Sequence, residues 1–327
     1  MHLFSQSNII KELNNFGKSG KAFIFIINYS GDEAYIFDLS DIDPDFILYD
    51  FNGITNFTKT PENIPNPIIW DPQFTPFKKY YHSFSIVKEN LLLGNSYLTN
   101  LTFPTLVKTN LSLKEIFEHN NAPYRLWIKD KLTVFSPEIF IRILHDNILS
   151  YPMKGTIDAN IPDAKNLIIN DPKECAEHAT IVDLIRNDLS QIAENVHVSR
   201  YKYIDKITTN KGKILQVSSE IQGKLQISFP DKVGNIIYKL LPAGSITGAP
   251  KKKTIEIIHS AENYNRGFYT GIMGYCDNDS LESAVMIRFI EQQDKKMIFK
   301  SGGGITAQSD VYKEYNEMKQ KVYVPIY

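Results

Sequence analysis

Gly267-Phe-Tyr-Thr-Gly-Ile-Met-Gly-Tyr-Cys276, Asp277-Asn278-Asp279, Ser280 and Leu281-Glu-Ser-Ala-Val-Met-Ile-Arg-Phe-Ile-Glu-Gln-Gln-Asp-Lys-Lys-Met-Ile-Phe-Lys300 follow one another without a helical period. Two runs rich in Ile, Val, Phe and Tyr flank a short Asp/Asn turn, which is the pattern of an antiparallel hairpin. Working outward, similar runs recur at Lys21–Tyr29, Glu33–Leu39, Tyr124–Ile128, Leu132–Phe135, Ile139–Leu144, His197–Ile207 and Ile214–Leu225. Strands outnumber helices and are not interleaved with them one by one. The chain therefore reads as α+β, with large antiparallel sheets and helices packed outside, and not as a βαβ series.

Four segments carry helix signals. Asn110-Leu-Ser-Leu-Lys-Glu offers capping side chains ahead of Ile116 and Phe117. Asp171-Pro172 opens a segment reaching about Glu194, with Pro in a first-turn position. Ala249-Pro250 opens another to about Asn263, and Ser309-Asp310 a last one to about Val322. Between Phe51 and Phe77 lie Pro61, Pro65, Pro67, Pro72 and Pro76, which read as an irregular connection from an N-terminal strand group to the main body.

Composition removes several function classes. The 327 residues are 43% hydrophobic and 22% charged, with a formal net charge of −1, as in an ordinary globular protein. The one short basic run, Lys251-Lys252-Lys253, sits in a predicted first helical turn, so nucleic acid and membrane surfaces have no electrostatic support as partners. Cys175 and Cys276 form no C-x-x-C pair, which argues against a disulfide scaffold or zinc site. Met1–Asn15 lacks the apolar core of a signal peptide, and runs such as Ala22–Ile27 are too short to span a membrane. A cytoplasmic location is the expectation.

Two carboxylate pairs stand out. Glu174 and Glu177 are three apart on the long predicted helix, Glu314 and Glu317 on the last one. Residues at i and i+3 share a helix face, so each pair can aim two carboxylates in one direction. Two such faces brought together would suit a hard cation such as Mg²⁺, which uses one or two carboxylates and an anionic substrate. Spacing alone equally describes a solvated surface. The first pair runs into Ala179-Thr-Ile-Val-Asp183-Leu-Ile-Arg186-Asn187-Asp188, where charges on an apolar helix call for partners, internal Arg–Asp pairing being the plain structural explanation.

Glu174-x-x-Glu177-His178-x-x-x-Val182-Asp183-Leu184-x-Arg186-Asn187-Asp188 resembles a signature of the chorismate-utilising enzymes. The last helix, Ser309-Asp310-x-x-x-Glu314-x-x-Glu317-x-x-x-Lys321, is similar to another. So are Arg266-Gly267-x-Tyr269-x-Gly271, Gly302-x-Gly304-Ile305, Gly248-Ala249-Pro250-Lys251 and Ser136-Pro137-Glu138, all in family order. The resemblance implies a chorismate-binding-enzyme sandwich in which residues 1–327 form a single catalytic domain. Its N-terminal strand region, about 1–80, is shorter than in the longer members. The resemblance also implies Mg²⁺ at Glu177 and Glu317, with Glu174 and Glu314 close behind. Chorismate would be held by Gly155, Thr156, Tyr269, Arg288, Gly302, Gly303, Gly304 and Lys321. A dianionic substrate calls for such a set: cations, a bidentate guanidinium, and backbone donors in a Gly-rich turn.

Lys154, in Tyr151-Pro152-Met153-Lys154-Gly155-Thr156, points to the subtype. Anthranilate and isochorismate synthases usually carry Ala there, whereas the aminodeoxychorismate synthases resemble this chain. In them the lysine is implied to attack the ring while the 4-hydroxyl leaves, and ammonia then displaces it. Such a lysine must be the free amine, favoured by desolvation or a nearby positive charge. Glu138 is the implied general acid, a role that needs a carboxyl kept protonated by burial. Leu98 stands where isochorismate and salicylate synthases have a water-activating lysine, and Gln216 where a histidine linked to pyruvate elimination is common. Leu98 disfavours hydroxylation at C2, and Gln216 favours a product that keeps its enolpyruvyl group. No glutaminase is visible, so ammonia is expected from a separate glutamine amidotransferase subunit or from solution. The alternatives are anthranilate synthase component I, isochorismate synthase, and a non-catalytic chorismate- or metal-binding protein.

Overall fold

A computed structural model describes residues 1–58, 64–209 and 212–326; Pro61, one of the prolines of the irregular connection, lies outside them. The chain divides into two compact units, each gathered from three segments. The first comprises Met1–Asp38, Glu138–Ser245 and Ile272–Ser283, the second Leu39–Pro137, Ile246–Gly271 and Ala284–Tyr327.

The first unit is built on a ten-stranded sheet. Its order is His2–Phe4, Glu33–Asp38, Phe23–Ile27, Ile272–Cys276, Ser280–Val285, Ile139–Leu144, Asn147–Ser150, Gly212–Leu225 and Met153–Asp158, with Ala193–Thr209 also paired to Gly212–Leu225. The Asp277-Asn278-Asp279 turn forms for a local reason: Asp277 Oδ1 accepts the backbone N–H groups of Asp279 (2.9 Å) and Ser280 (2.7 Å). Phe23–Ile27 is buried throughout, as a central strand covered on both faces must be. Helices Gln6–Ser19, Ala164–Asn170, Pro172–Leu189 and Val233–Leu240 belong to this unit.

The second unit is built on a nine-stranded sheet, in the order Gly248–Ala249, Leu98–Thr109, Lys296–Ile305, Phe289–Gln293, Leu132–Ser136, Tyr124–Ile128, Ile47–Phe51 and Ile54–Thr55, with Trp70–Gln73 beside Leu98–Thr109. The pairing is antiparallel here as in the first sheet. Helices Phe77–Leu92, Lys251–Ala261 and Val311–Gln320 cover it through Tyr80, Phe84, Val87, Ile257 and Met318, packed on Leu101, Phe103 and Ile305. Full burial of each such side chain contributes about 1.5–3 kcal/mol.

Three expectations are corrected. The run Gly267–Cys276 becomes strand only from Ile272, because Gly267 and Thr270 take left-handed backbone (φ 59° and 62°). The run Leu281–Lys300 is three strands, broken at Arg288 (φ 53°) and at the Asp294-Lys295 turn. The long helix stops at Leu189 rather than Glu194, and strand resumes at Ala193. Among the described residues no helix is long and apolar enough to cross a membrane.

Candidate active site

In the first unit the carboxylate pair stands on the start of the Pro172–Leu189 helix. Asp171 caps that helix, its side chain accepting the Glu174 backbone N–H at 2.9 Å, while Pro172 occupies a position with no donor to satisfy. Glu177 follows one turn on and is buried. The neighbouring strand, Met153–Asp158, brings Lys154 Nζ to 3.5 Å from Glu177 Oε2. Its register against Gly212–Leu225 shifts between Lys154 and Thr156, which makes Gly155 a bulge residue with φ +72°. A Cβ on Gly155 would lie 3.0 Å from Glu174 Oε2. Consecutive strand residues thus meet the two carboxylates of one helix face. Thr156, by contrast, is exposed and pairs with Gln216 across the ladder. Glu138 is half-buried ahead of the Ile139–Leu144 strand and accepts a short hydrogen bond from Ser245 Oγ.

Behind this face lies a second group. His178 is 1% exposed, and its Nε2 is 2.7 Å from Ser219 Oγ, which also accepts the Lys202 backbone N–H at 3.0 Å. Burial, and then the positive charges of Lys202 and Lys154, push the His178 pKa down to about 4, so the ring is neutral at pH 7. Arg186 and Asp183 pair at 2.8 Å on the solvent side of the same helix, the plain structural outcome for that motif.

In the second unit the carboxylates stand on the Val311–Gln320 helix. Asp310 caps it by accepting the backbone N–H groups of Tyr312 (3.1 Å) and Lys313 (3.0 Å). Glu314 is 4% exposed, and its Oε1 accepts from Ser309 Oγ at 2.7 Å. Glu317 Oε1 lies 2.7 Å from Lys321 Nζ, which also donates to the Gly302 carbonyl at 2.8 Å. Gly302–Gly304 is not the turn expected from sequence. It lies inside the Lys296–Ile305 strand, paired with Thr102, Leu101 and Asn100. The glycines serve close approach instead. A Cβ on Gly303 would stand 3.3 Å from Glu317 Oε1, 3.6 Å from Lys321 Nζ and 3.9 Å from Glu314 Oε2.

Arg288 donates from Nη1 to the Lys321 carbonyl at 2.7 Å, and its guanidinium stands over the Tyr323 ring. Tyr269 is buried, its ring 5.9 Å from that of Phe289. Arg266, three residues earlier, is a structural residue: with Glu262 it forms an ion pair 2% exposed on both sides at 2.6 Å. Leu98 is buried at the start of its strand, opposite Ala249.

Within either unit taken alone, no three described His, Cys, Asp or Glu side chains form a metal-ligating group. Each carboxylate pair nevertheless offers hard oxygen donors on one helix face, and each already has an ammonium against it, Lys154 at Glu177 and Lys321 at Glu317. Glycine keeps both faces open, at Gly155 and Gly303. That donor set suits a divalent cation of the Mg²⁺ type. Ser245, Ser219 and Lys202 join this neighbourhood without any sequence signal, since each reaches its partner through the fold.

The sequence profile of the family described as chorismate binding enzyme matches residues 43–326. An uncharacterized PabA-like protein of Haemophilus influenzae is 48% identical over 322 residues, covering 98% of both chains. The aminodeoxychorismate synthase component 1 of Bacillus subtilis is 30% identical over 257 residues, 75% of this chain and 52% of that protein. An anthranilate synthase component 1 of Archaeoglobus fulgidus is 31% identical over 246 residues, 72% of this chain and 58% of that protein. In fold, the chain resembles MenF, the menaquinone-specific isochorismate synthase of Escherichia coli, with a TM-score of 0.77 at 15% identity, covering 98% of this chain and 82% of that one.

Proposed function

Because the chain belongs to the chorismate binding enzyme family, we propose that it aminates chorismate at C4 with ammonia, giving 4-amino-4-deoxychorismate. The observation that carries this reading is the 3.5 Å separation of Lys154 Nζ and Glu177 Oε2. The residue that distinguishes the aminating subtype stands on the carboxylate pair assigned to the metal. Identity does not separate the subtypes, since aminodeoxychorismate and anthranilate synthase components match at 30% and 31%.

Glu174, Glu177, Glu314 and Glu317 are the residues proposed for Mg²⁺, which when bound would neutralise the ring carboxylate of chorismate. The remaining groups have roles of their own. Lys321 and Arg288 supply cationic donors for the substrate's carboxylates, and Tyr269 a hydroxyl. Gly155 and Gly302–Gly304 let backbone approach the substrate where a side chain would intrude, and Thr156 completes that edge. Lys154 attacks the chorismate ring as its free amine while the 4-hydroxyl leaves, and Glu138 gives its proton to that departing hydroxyl. Ser245 Oγ donates to Glu138 and helps fix the orientation of that carboxyl. Ammonia then replaces Lys154 on the ring.

The nitrogen source is proposed to be a separate glutamine amidotransferase subunit, in the cytoplasm. A lyase acting on the product would release 4-aminobenzoate for folate. The test is product analysis after incubating the chain with chorismate, Mg²⁺ and ammonium at mildly alkaline pH, with and without an aminodeoxychorismate lyase. 4-Aminobenzoate appearing only with the lyase is the expected result. Anthranilate or isochorismate as the main product sinks the subtype, and no turnover favours a binding protein.

A further inference from the structure

Cys175 and Lys202 form a pair that the proposed chemistry does not use. Lys202 Nζ donates to Cys175 Sγ at 2.7 Å, and that thiol donates to the Ile169 carbonyl at 3.0 Å. Hydrogen bonds from N–H to oxygen run about 2.7–3.2 Å, and sulfur is the larger atom, so this contact is short for its type. The approach is built into the fold. The Ala193–Thr209 strand shifts register between Arg200 and Tyr203, and Lys202 sits in that bulge with φ 51°, its N–H held by Ser219. Both side chains are only partly buried, so a small oxidant can reach them.

We propose that Cys175 and Lys202 are an oxidation-driven cross-linking site, a reversible tie between the helix bearing Glu174 and Glu177 and the strand beside it. Hydrogen peroxide takes the thiol to the sulfenic acid: sulfur gives up two electrons, gains a hydroxyl, and one water leaves. The Lys202 amine then attacks that sulfur. The S–O bond breaks, an S–N bond forms, and the hydroxyl departs as water with a proton from nitrogen. A thiol reverses the link by attacking sulfur and expelling the amine. The site is independent of the reaction proposed above, because its readout is covalent mass.

The test is peroxide titration of the full chain at mildly alkaline pH, followed by trypsin without reductant and mass spectrometry. The expected product is Glu174–Arg186 joined to Tyr201–Lys206, at the summed mass less two hydrogens, uncut at Lys202 and separated by dithiothreitol. Lys202→Arg keeps the cation but lacks the nucleophile, so the joined pair should be lost and Cys175 should run on to sulfinic acid. Cys276, fully buried, should stay a thiol throughout. If native Cys175 instead remains a thiol or reaches sulfinic acid while trypsin still cuts at Lys202, the proposal is overturned.

Discussion

Gly155 leaves its missing side chain's place to Glu174: a Cβ there would come within 3.0 Å of the Glu174 carboxylate. With φ +72°, Gly155 also occupies the left-handed region, where an L side chain costs about 1–2 kcal/mol. Gly155→Ala is therefore expected to lower stability by about that amount in urea unfolding, and to displace Glu174 Oε2. Mg²⁺ affinity, read by titration calorimetry on the folded variant, should fall with it. Wild-type stability and affinity together would remove the case for a strained contact here.

Lys154 carries two separable jobs. As an ammonium it stands beside buried Glu177, and as an amine it is the proposed nucleophile. Lys154→Ala should lose both, and Lys154→Arg only the second, since a guanidinium stays charged at every working pH. Turnover is expected to fall by at least about 10²-fold in either variant. Urea unfolding should show Lys154→Arg close to wild type and Lys154→Ala weaker. An arginine variant with near-native turnover would reduce Lys154 to a counter-ion.

Much of this arrangement was readable because the signals are local. Asp171, Asp310 and the Ser112/Glu115 capping box mark helix starts within three residues, and Asp277 closes its own turn. The Gln6–Ser19 and Phe77–Leu92 helices escaped notice for the converse reason: neither Ser5 nor Pro76 makes a side-chain cap. Gly302–Gly304 misled because glycine in sequence looks like a turn, whereas here Gly303 answers the crowding of Glu317 and Lys321 from another element, and Gly302 that of Leu101 and Thr102 on the paired strand. Ser245 meets Glu138 from 107 positions away and Ser219 meets His178 from 41. No window along the chain contains such partners.

His178 makes stability depend on pH with a definite sign. Its folded pKa, about 4, lies below an unfolded value of about 6.5, so the folded state resists the proton that the unfolded chain accepts. The stability it confers is complete above pH 6.5 and is lost as pH falls from 6.5 to about 4, with no further loss below that. The full amount is on the order of 3 kcal/mol. Urea unfolding with chelator present, at pH 7.5, 5.5 and 4.5, should show the decline, and His178→Gln should flatten it. Equal slopes in the two proteins would mean that other groups set the acid limit.

Arg266 belongs to a motif first read beside the substrate, yet its guanidinium is spent on Glu262 and on the carbonyls of Ile246 (3.0 Å) and Asn100 (2.8 Å). Glu262 in turn accepts from the Thr102 backbone N–H (2.8 Å) and hydroxyl (2.9 Å). Removing one member of such a buried pair strands the other charge, at a cost of about 3–5 kcal/mol, whereas removing both replaces ions with packing. Arg266→Met is thus expected to be much less stable than wild type, and Arg266→Met combined with Glu262→Met to recover a large part of the loss. The comparison is a double-mutant cycle in urea, run on whichever variants fold. Strictly additive losses would mean that each side chain acts through separate contacts, and that the pair itself holds nothing in place.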